Sequence, residues 1–442
     1  MISAFTAHHP WRVSIFCRNA TRRRLTWLVA AVVWVFATEA ICGREIHVAP
    51  TGNDAGAGSE AEPFREIRRA LSVVRPGDEI IVADGRYLGF DMVRLRGFTL
   101  RAPGRKALIM PTSDRGKGSP FNMLIWECSD VVIDGMQTFK AETAGMRLVQ
   151  CHKTTVRNGV FGNNGKWGIV TSHCTDLLLE DNDCYGSKME HGIYVANSGD
   201  NPTVRGNRLH DNAGSGLRSN GDVTEGGDGI ISGAVFENNV IYNNGSNAAN
   251  RGAAINLDGL QDGIIRNNLL YANQGSGIAL FKGGGAAGPK GMQILHNTII
   301  MPAEGRYNLR ITDAIGPILV RNNIFYSDNK SRGFIFWDTS TDVSHTDSDY
   351  NVFGGARHVA PDAKKPRVYV PDWIKQGHET HSIASSTLNS LFVDYENGDY
   401  HLDPISPAVD RGEPLPSVKR DIEGTARPQG TAPDVGAYEL VP

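Results

Sequence analysis

The chain has 442 residues, 40% of them hydrophobic, with 50 glycines and a formal net charge of −3. The length is ample for a large core, and one long repetitive domain fits it as well as two domains. The apolar content excludes a disordered chain despite the glycines. With no basic tract beyond the N-terminus, nucleic acid is not an expected partner.

Residues 1–43 read as a leader. Arg18, Arg22, Arg23 and Arg24 precede an apolar run from Leu25 to Ala37. A charged stretch before a short apolar one is the pattern of a secretory signal. The run is shorter than the roughly 20 residues that span a membrane. Cleavage would leave a secreted, periplasmic or cell-surface chain without a membrane span; an uncleaved anchor is the alternative.

Residues 44–90 open with a strand at Glu45–Val48 and a Gly-rich turn. Pro63 then starts a helix whose Phe64, Ile67, Leu71 and Val74 share one face. Glu60 and Glu62 suit its positive end. Pro76-Gly77-Asp78 stops it, and a strand follows at Glu79–Val82. A helix here would cover the open apolar end of a strand stack.

Residues 91–355 carry a repeat. Strands are expected at Phe98–Arg101, Ala107–Met110, Asn122–Trp126, Val131–Ile133 and Met146–Val149, with irregular rungs up to about Phe161. From Gly145 to Tyr350 one phrase recurs: a glycine, a short apolar strand, a polar turn, a second strand, then Asn and two apolar residues. The Asn slot falls at Asn182, Asn207, Asn239, Asn268, Asn297, Asn323 and Asn351, with Gly159 one rung earlier. The spacings are 23, 25, 32, 29, 29, 26 and 28 residues. A period of this size marks a solenoid, and short strands with Gly/Asn/Asp turns make it a β-solenoid.

Cys128, Cys151 and Cys174 occupy one slot on three consecutive rungs. Rungs stack at about 4.8 Å, within the Cα reach of a disulfide. Three thiols cannot all pair, so both a bridge and a ladder of free thiols are open. Cys184 sits in an apolar slot and reads as core.

Residues 356–442 lose the period. Their pattern residues include Ser406, Pro407, Asp410, Gly412, Asp421, Gly424, Arg427, Pro428, Asp434, Gly436 and Glu439. These read as a cap stapled by carboxylate–Arg and carboxylate–backbone bonds.

The opening phrases VAPTGNDAG, PFREIRRAL and RPGDEIIVADGRY, the Asn-slot rungs and the closing DIEGTARPQGTAPDVGAYE carry a resemblance. From about Arg44 onwards the chain resembles the secreted right-handed parallel β-helix proteins of the pectate-lyase-like superfamily. The resemblance implies an all-β, right-handed solenoid of about ten rungs, with a short N-terminal capping helix and an irregular C-terminal cap. Handedness comes from the resemblance alone, and it assigns no catalytic residue.

Alternation along a strand makes Met146, Ile169, Ile193, Leu217, Ile255, Ile278 and Leu309 an inward column. The next positions, including Tyr194, Arg218, Asn256 and Arg310, then face solvent, with Asn220 and Asp258 two residues further on. Asn197 and Lys282 lie at the exit turn. Together with His191 these are cationic, amide and phenolic groups suited to an extended acidic polysaccharide. The insertions GDVTEGGDGIISG and GGGAAGPKG leave the exit end of the same strands and could wall a cleft. Asp222, Glu225 and Asp228 in the first insertion are candidate ligands for Ca²⁺.

The expected activity is β-elimination or C5 epimerisation of a uronic-acid polysaccharide. Arg218, Arg310, Lys282 or calcium would neutralise the uronate carboxylate. His191, Lys282 or a deprotonated Tyr194 would be the base, and Tyr194 the acid. Asn197, Asn220, Asn256, Asp258 and Arg310 would bind substrate. A non-catalytic glycan-binding or cell-surface structural role is the alternative. A glycoside hydrolase fits less well: no Asp-Asp pair occurs, and hydrolysis needs two carboxylates across the bond. The sequence suggests a monomer.

Overall fold

The computed structural model describes residues 43–441, apart from 112–118, 248–251, 339, 357, 362–366 and 386. The leader lies outside these. No helix among the described residues is long and apolar enough to cross a membrane.

Each coil gives one strand to each of three parallel sheets. The first sheet has ten strands, from Phe90–Val93 to Ile335–Trp337. The second has twelve, from Glu45–Val48 to Thr346–Asp349, and the third has twelve, from Gly85–Leu88 to Ile383–Ser385. The coils between Tyr87 and Phe161, expected to be irregular, pair in the same register as the rest. The stack also runs one strand beyond Gly355: Ile383–Ser385 pairs with Val352–Gly355.

The inward column is as the alternation requires. Met146, Ile169, Ile193, Leu217, Ile255, Ile278 and Leu309 are all fully buried. The Asn slot also points inward. Asn207 Nδ2 donates to Asn239 Oδ1 at 3.0 Å, Asn239 to Asn268 at 2.9 Å, and Asn268 to Asn297 at 2.9 Å. The ladder begins at Gly159 N–H on Asn182 Oδ1 and ends where Asn351 Nδ2 donates to Glu379 Oε2 at 3.0 Å. The residue before a slot, as at Asp181, Asn238, Asn267 and Asn322, has positive φ. Asn and Asp tolerate that conformation best among residues with a side chain, so one left-handed residue turns the chain and the next Asn ties the coils together.

A second ladder, Asn212–Asn244–Asn273, lies five residues after the slot, with Nδ2–Oδ1 distances of 2.9 and 3.0 Å. The cysteine ladder is a file of free thiols: Cys128, Cys151 and Cys174 are unbridged and buried, and the Cys151 N–H donates to Cys174 Sγ at 3.3 Å.

Both ends differ from expectation. The N-terminal helix is only Ile67–Leu71. Phe64 instead bridges Val48 beside the first strand. No side chain caps the helix; just before it, the Asp54 carboxylate accepts from the N–H groups of Arg65 and Glu66 at 2.9 and 3.0 Å. At the other end, the helix Val370–Lys375 places Trp373 against Trp337, with ring centroids 6.1 Å apart. The segment after Leu391 lies along the side of the stack. Asn267 donates to Arg420 O at 2.7 Å, Asn322 to Glu413 O at 2.8 Å, and Ala437 N–H to Thr298 Oγ1 at 2.9 Å. It is a lateral brace more than an end plug. Its internal staples are those expected: Glu439 accepts from Arg427 Nη1 and from the N–H groups of Gln429 and Asp434, and Asp421 accepts from Thr425 and Glu439.

Candidate functional site

The outward file of the first sheet stands in the register the repeat implies. Tyr194 pairs with Arg218, Arg218 with Asn256, Asn256 with Ala279, and Ala279 with Arg310. Two residues on, Ala196, Asn220, Asp258 and Phe281 form a parallel file. Tyr194 and Arg310 are four coils apart, roughly 19 Å along the stack.

Tyr194 is the centre of the densest cluster. Its phenol oxygen accepts from Asn220 Nδ2 at 3.3 Å. The Arg218 guanidinium lies over its ring, 5.6 Å from the centroid. Trp167 and His191 flank it, at centroid distances of 5.9 and 5.5 Å. Glu190 accepts from the Trp167 indole N–H at 3.0 Å and sits 3.7 Å from Lys166 Nζ. Asn220 is itself oriented by the Asp222 N–H, which donates to its Oδ1 at 3.3 Å.

Trp167 and Glu190 are additions that strict alternation along the strand does not reach. The reason is the glycine slot. A Cβ on Gly168 would stand 3.1 Å from Cys184 Cβ, and one on Gly216 would stand 2.4 Å from Ile241 Cγ2, so this position faces the interior. Two consecutive residues, Gly168 and Ile169, therefore point in. Alternation slips by one, and Trp167 turns outward beside Tyr194. The recurring glycine before each apolar strand was the available signal.

His191 does not supply a base. Its Nδ1 accepts the Ser215 backbone N–H at 3.0 Å. The ring proton of the neutral imidazole is therefore on Nε2, which faces Glu190 Oε2 at 3.8 Å. Burial, aided by the charge of Arg218, pushes its pKa down to about 3. His191 is a neutral N–H donor with no free lone pair.

Asp258 is the second correction. It is not an open carboxylate on the sheet face but is only 2% exposed. Its two oxygens take the N–H groups of Gly283, Gly284 and Gly285 at 2.7, 2.7 and 3.1 Å. The glycine insertion thus folds back onto Asp258. It also joins the other insertion, with Val223 N–H on Gly284 O at 3.0 Å and Ala286 N–H on Gly229 O at 2.8 Å. The two loops make one ridge along the exit edge instead of two walls.

Lys282 is exposed beside this ridge, three coils from Tyr194, or about 14 Å along the stack. It is not part of the Tyr194 cluster. Arg310 lies over Phe281, 5.9 Å from its centroid. Asn197 donates to Ser172 Oγ at 3.1 Å, and Asn256 is largely buried between Arg218 and Ala279.

The three loop acids do not converge. Asp222 caps the short helical turn Val223–Glu225, accepting from Thr224 N and Oγ1 at 2.9 and 2.7 Å. Those bonds, with Arg218 nearby, lower its pKa. Asp228 accepts from Ile230 N–H at 2.9 Å, and Glu225 is exposed.

Two family models match parts of the chain. One, described as periplasmic copper-binding protein (NosD), matches residues 109–253; the other, described as right handed beta helix region, matches residues 182–350. Among the described residues no group of three or more His, Cys, Asp or Glu could hold a metal ion. No curated protein matches the chain. Among solved structures, pectate lyase Pel9A is similar with a TM-score of 0.59 and 16% identity, covering 90% of this chain and 96% of that one. XylC, solved in complex with xylose, is similar with a TM-score of 0.53 and 12% identity, covering 90% and 98%. These likenesses are of fold. The chain is a right-handed parallel β-helix of about ten coils.

Proposed function

We propose that this chain is a secreted or periplasmic enzyme acting on an acidic polysaccharide, a lyase of uronate units with C5 epimerisation as the related alternative. The observation that carries the reading is Tyr194, its ring lying under the Arg218 guanidinium and its phenol oxygen hydrogen-bonded by Asn220 on a polar sheet face. A pectate lyase among the chains of the same fold supports it.

Both reactions begin with loss of the proton beside the uronate carboxylate. Arg218 neutralises that carboxylate and holds the enolate charge as it develops. Tyr194 as phenolate, stabilised by the Asn220 N–H, takes the proton. In elimination the C4–oxygen bond then breaks, and the Tyr194 O–H returns the proton to the leaving oxygen. Elimination is favoured over epimerisation because one group can both take and return a proton on one face. Epimerisation needs a second donor on the opposite face, and His191 and Lys282 do not provide it. Asn197, Asn256, Arg310 and Lys282 are assigned to more distant sugars. Calcium enters only as an ion shared with substrate carboxylates near Asp222, Glu225 and Asp228, and comparison of turnover with and without chelator tests that role.

The test is incubation with polygalacturonate and alginate. An unsaturated product absorbing in the ultraviolet marks a lyase; a changed epimer ratio by NMR without that absorbance marks an epimerase. Binding without either change supports the second reading, a glycan-binding surface protein. That reading draws on the loss of His191 as a base. With Asp258 consumed by backbone bonds, a hydrolase lacks its carboxylate pair.

A further inference from the structure

The first sheet continues past Tyr194 toward the N-terminus, and its outward face changes character there. The Tyr194 file runs back through Val170, Arg147 and Leu124. The neighbouring file runs back through Ser172 and Val149 to Trp126 and Val93. Trp126 is 43% exposed and Val93 47%; among the described tryptophans and phenylalanines only Trp126 stands with the exposed large hydrophobic residues. The indole is not loose. Its Nε1–H donates to Glu127 Oε1 at 3.0 Å, and Glu127 is paired with Arg94. A tryptophan held from its polar edge while its apolar surface faces solvent is a poor core residue. It is a suitable surface for the apolar face of a pyranose ring.

We propose that Trp126 is a sugar-stacking platform of a remote subsite, which sets a minimum chain length for the ligand. The inference rests on the polyuronate reading of the Tyr194 cluster. Trp126 lies three coils from Tyr194, about 14 Å along the stack. An extended glycan advances by about one ring per coil, so a sugar on Trp126 is three residues from the one at Tyr194. The ligand class is an oligouronate of four or more sugars laid along the first sheet. Between the two positions Val170 and Ser172 are small enough to let the chain pass, and Arg147, held over the Phe121 ring at 5.1 Å, offers a charge for an intervening carboxylate.

The experiment is calorimetry on the full chain with hexamers and dimers of galacturonate and of mannuronate. The wild type should bind one hexamer on the order of tenfold more tightly than its dimer, the size of a good aromatic contact. Trp126→Ala should abolish most of that preference and Trp126→Phe restore part of it. Arg218→Ala should weaken dimer and hexamer alike. Hexamer binding by Trp126→Ala equal to wild type, with Arg218→Ala impaired, would overturn the platform and leave the polyuronate reading standing. Loss in both Trp126 variants alike would also overturn stacking as the cause. No binding of any oligouronate by the wild type would sink both.

Discussion

The Ser215 backbone N–H donates to His191 Nδ1 at 3.0 Å, and that one bond decides which residue next to Arg218 can move a proton. It spends the only lone pair of the neutral ring. Tyr194 is left as the proton-moving group, with Arg218 over its ring and Asn220 on its oxygen.

Tyr194→Phe should therefore lower turnover of the responsive polyuronate by about two to four orders of magnitude, the usual worth of a proton-transfer group. Arg218→Ala should cost on the order of 10²–10³ for loss of the enolate partner. Both variants should melt within a few degrees of the wild type, because both side chains stand on the outer face. Full turnover in either would remove that residue from the mechanism.

His191 gives a pH signature. Its pKa is depressed to about 3 in the folded chain against 6.5 unfolded. Above 6.5 the two states bind equal protons there and His191 adds no slope. Below it the unfolded chain takes up a proton that the folded chain refuses, so stability falls as pH drops from 6.5 toward 3. Denaturant midpoints of wild type and His191→Gln between those limits should converge as the pH falls. Parallel curves would show that His191 does not stay neutral.

Asp258→Ala should release the ridge. Three glycine N–H groups lose their acceptor, and the one that is buried, on Gly285, costs about 1–3 kcal/mol when unmet. Hydrogen exchange at Gly283, Gly284 and Gly285 should accelerate, with smaller changes at Val223 and Ala286 through the loop pairing. Turnover should fall far less than in Arg218→Ala. Unchanged exchange at the three glycines would show that the loop does not depend on this carboxylate.

Glu379 closes the Asn ladder as a buried acid. Burial raises its pKa above 4.5, with Asp349 adding to the effect. A raised carboxyl contributes its full stability below its unfolded value and loses it as pH rises through the folded one. Glu379→Gln removes the ionisation and should be more stable than wild type in alkaline buffer, with the advantage shrinking toward pH 4. Equal melting temperatures across the range would contradict this.

Much of the architecture could be read directly from the chain because it repeats. Ile169, Ile193 and Leu217 recur with a glycine before each, so the inward column and the Tyr194–Arg218–Asn256–Arg310 file followed from period alone. What the sequence hid is non-local. Asp258 looked open because the three glycines that bind it lie 25 to 27 residues later in a loop. His191 looked like a base because its partner is a backbone N–H one coil away. Trp167 escaped because a corner glycine breaks alternation, and the second Asn ladder because only Asn212, Asn244 and Asn273 fill its slot continuously.

The paired Asn ladders have an evolutionary and engineering corollary. The coils from Asn207 to Asn273 present the same two amides to the coil before and the coil after, so these coils are interchangeable along the axis. Duplicating one whole period, for example 240–268, keeps every amide matched and yields a longer molecule, whereas an insertion of half that size puts the amides out of step. Length in this protein is thus quantised, and a binding face built on it can grow or shrink only by whole turns.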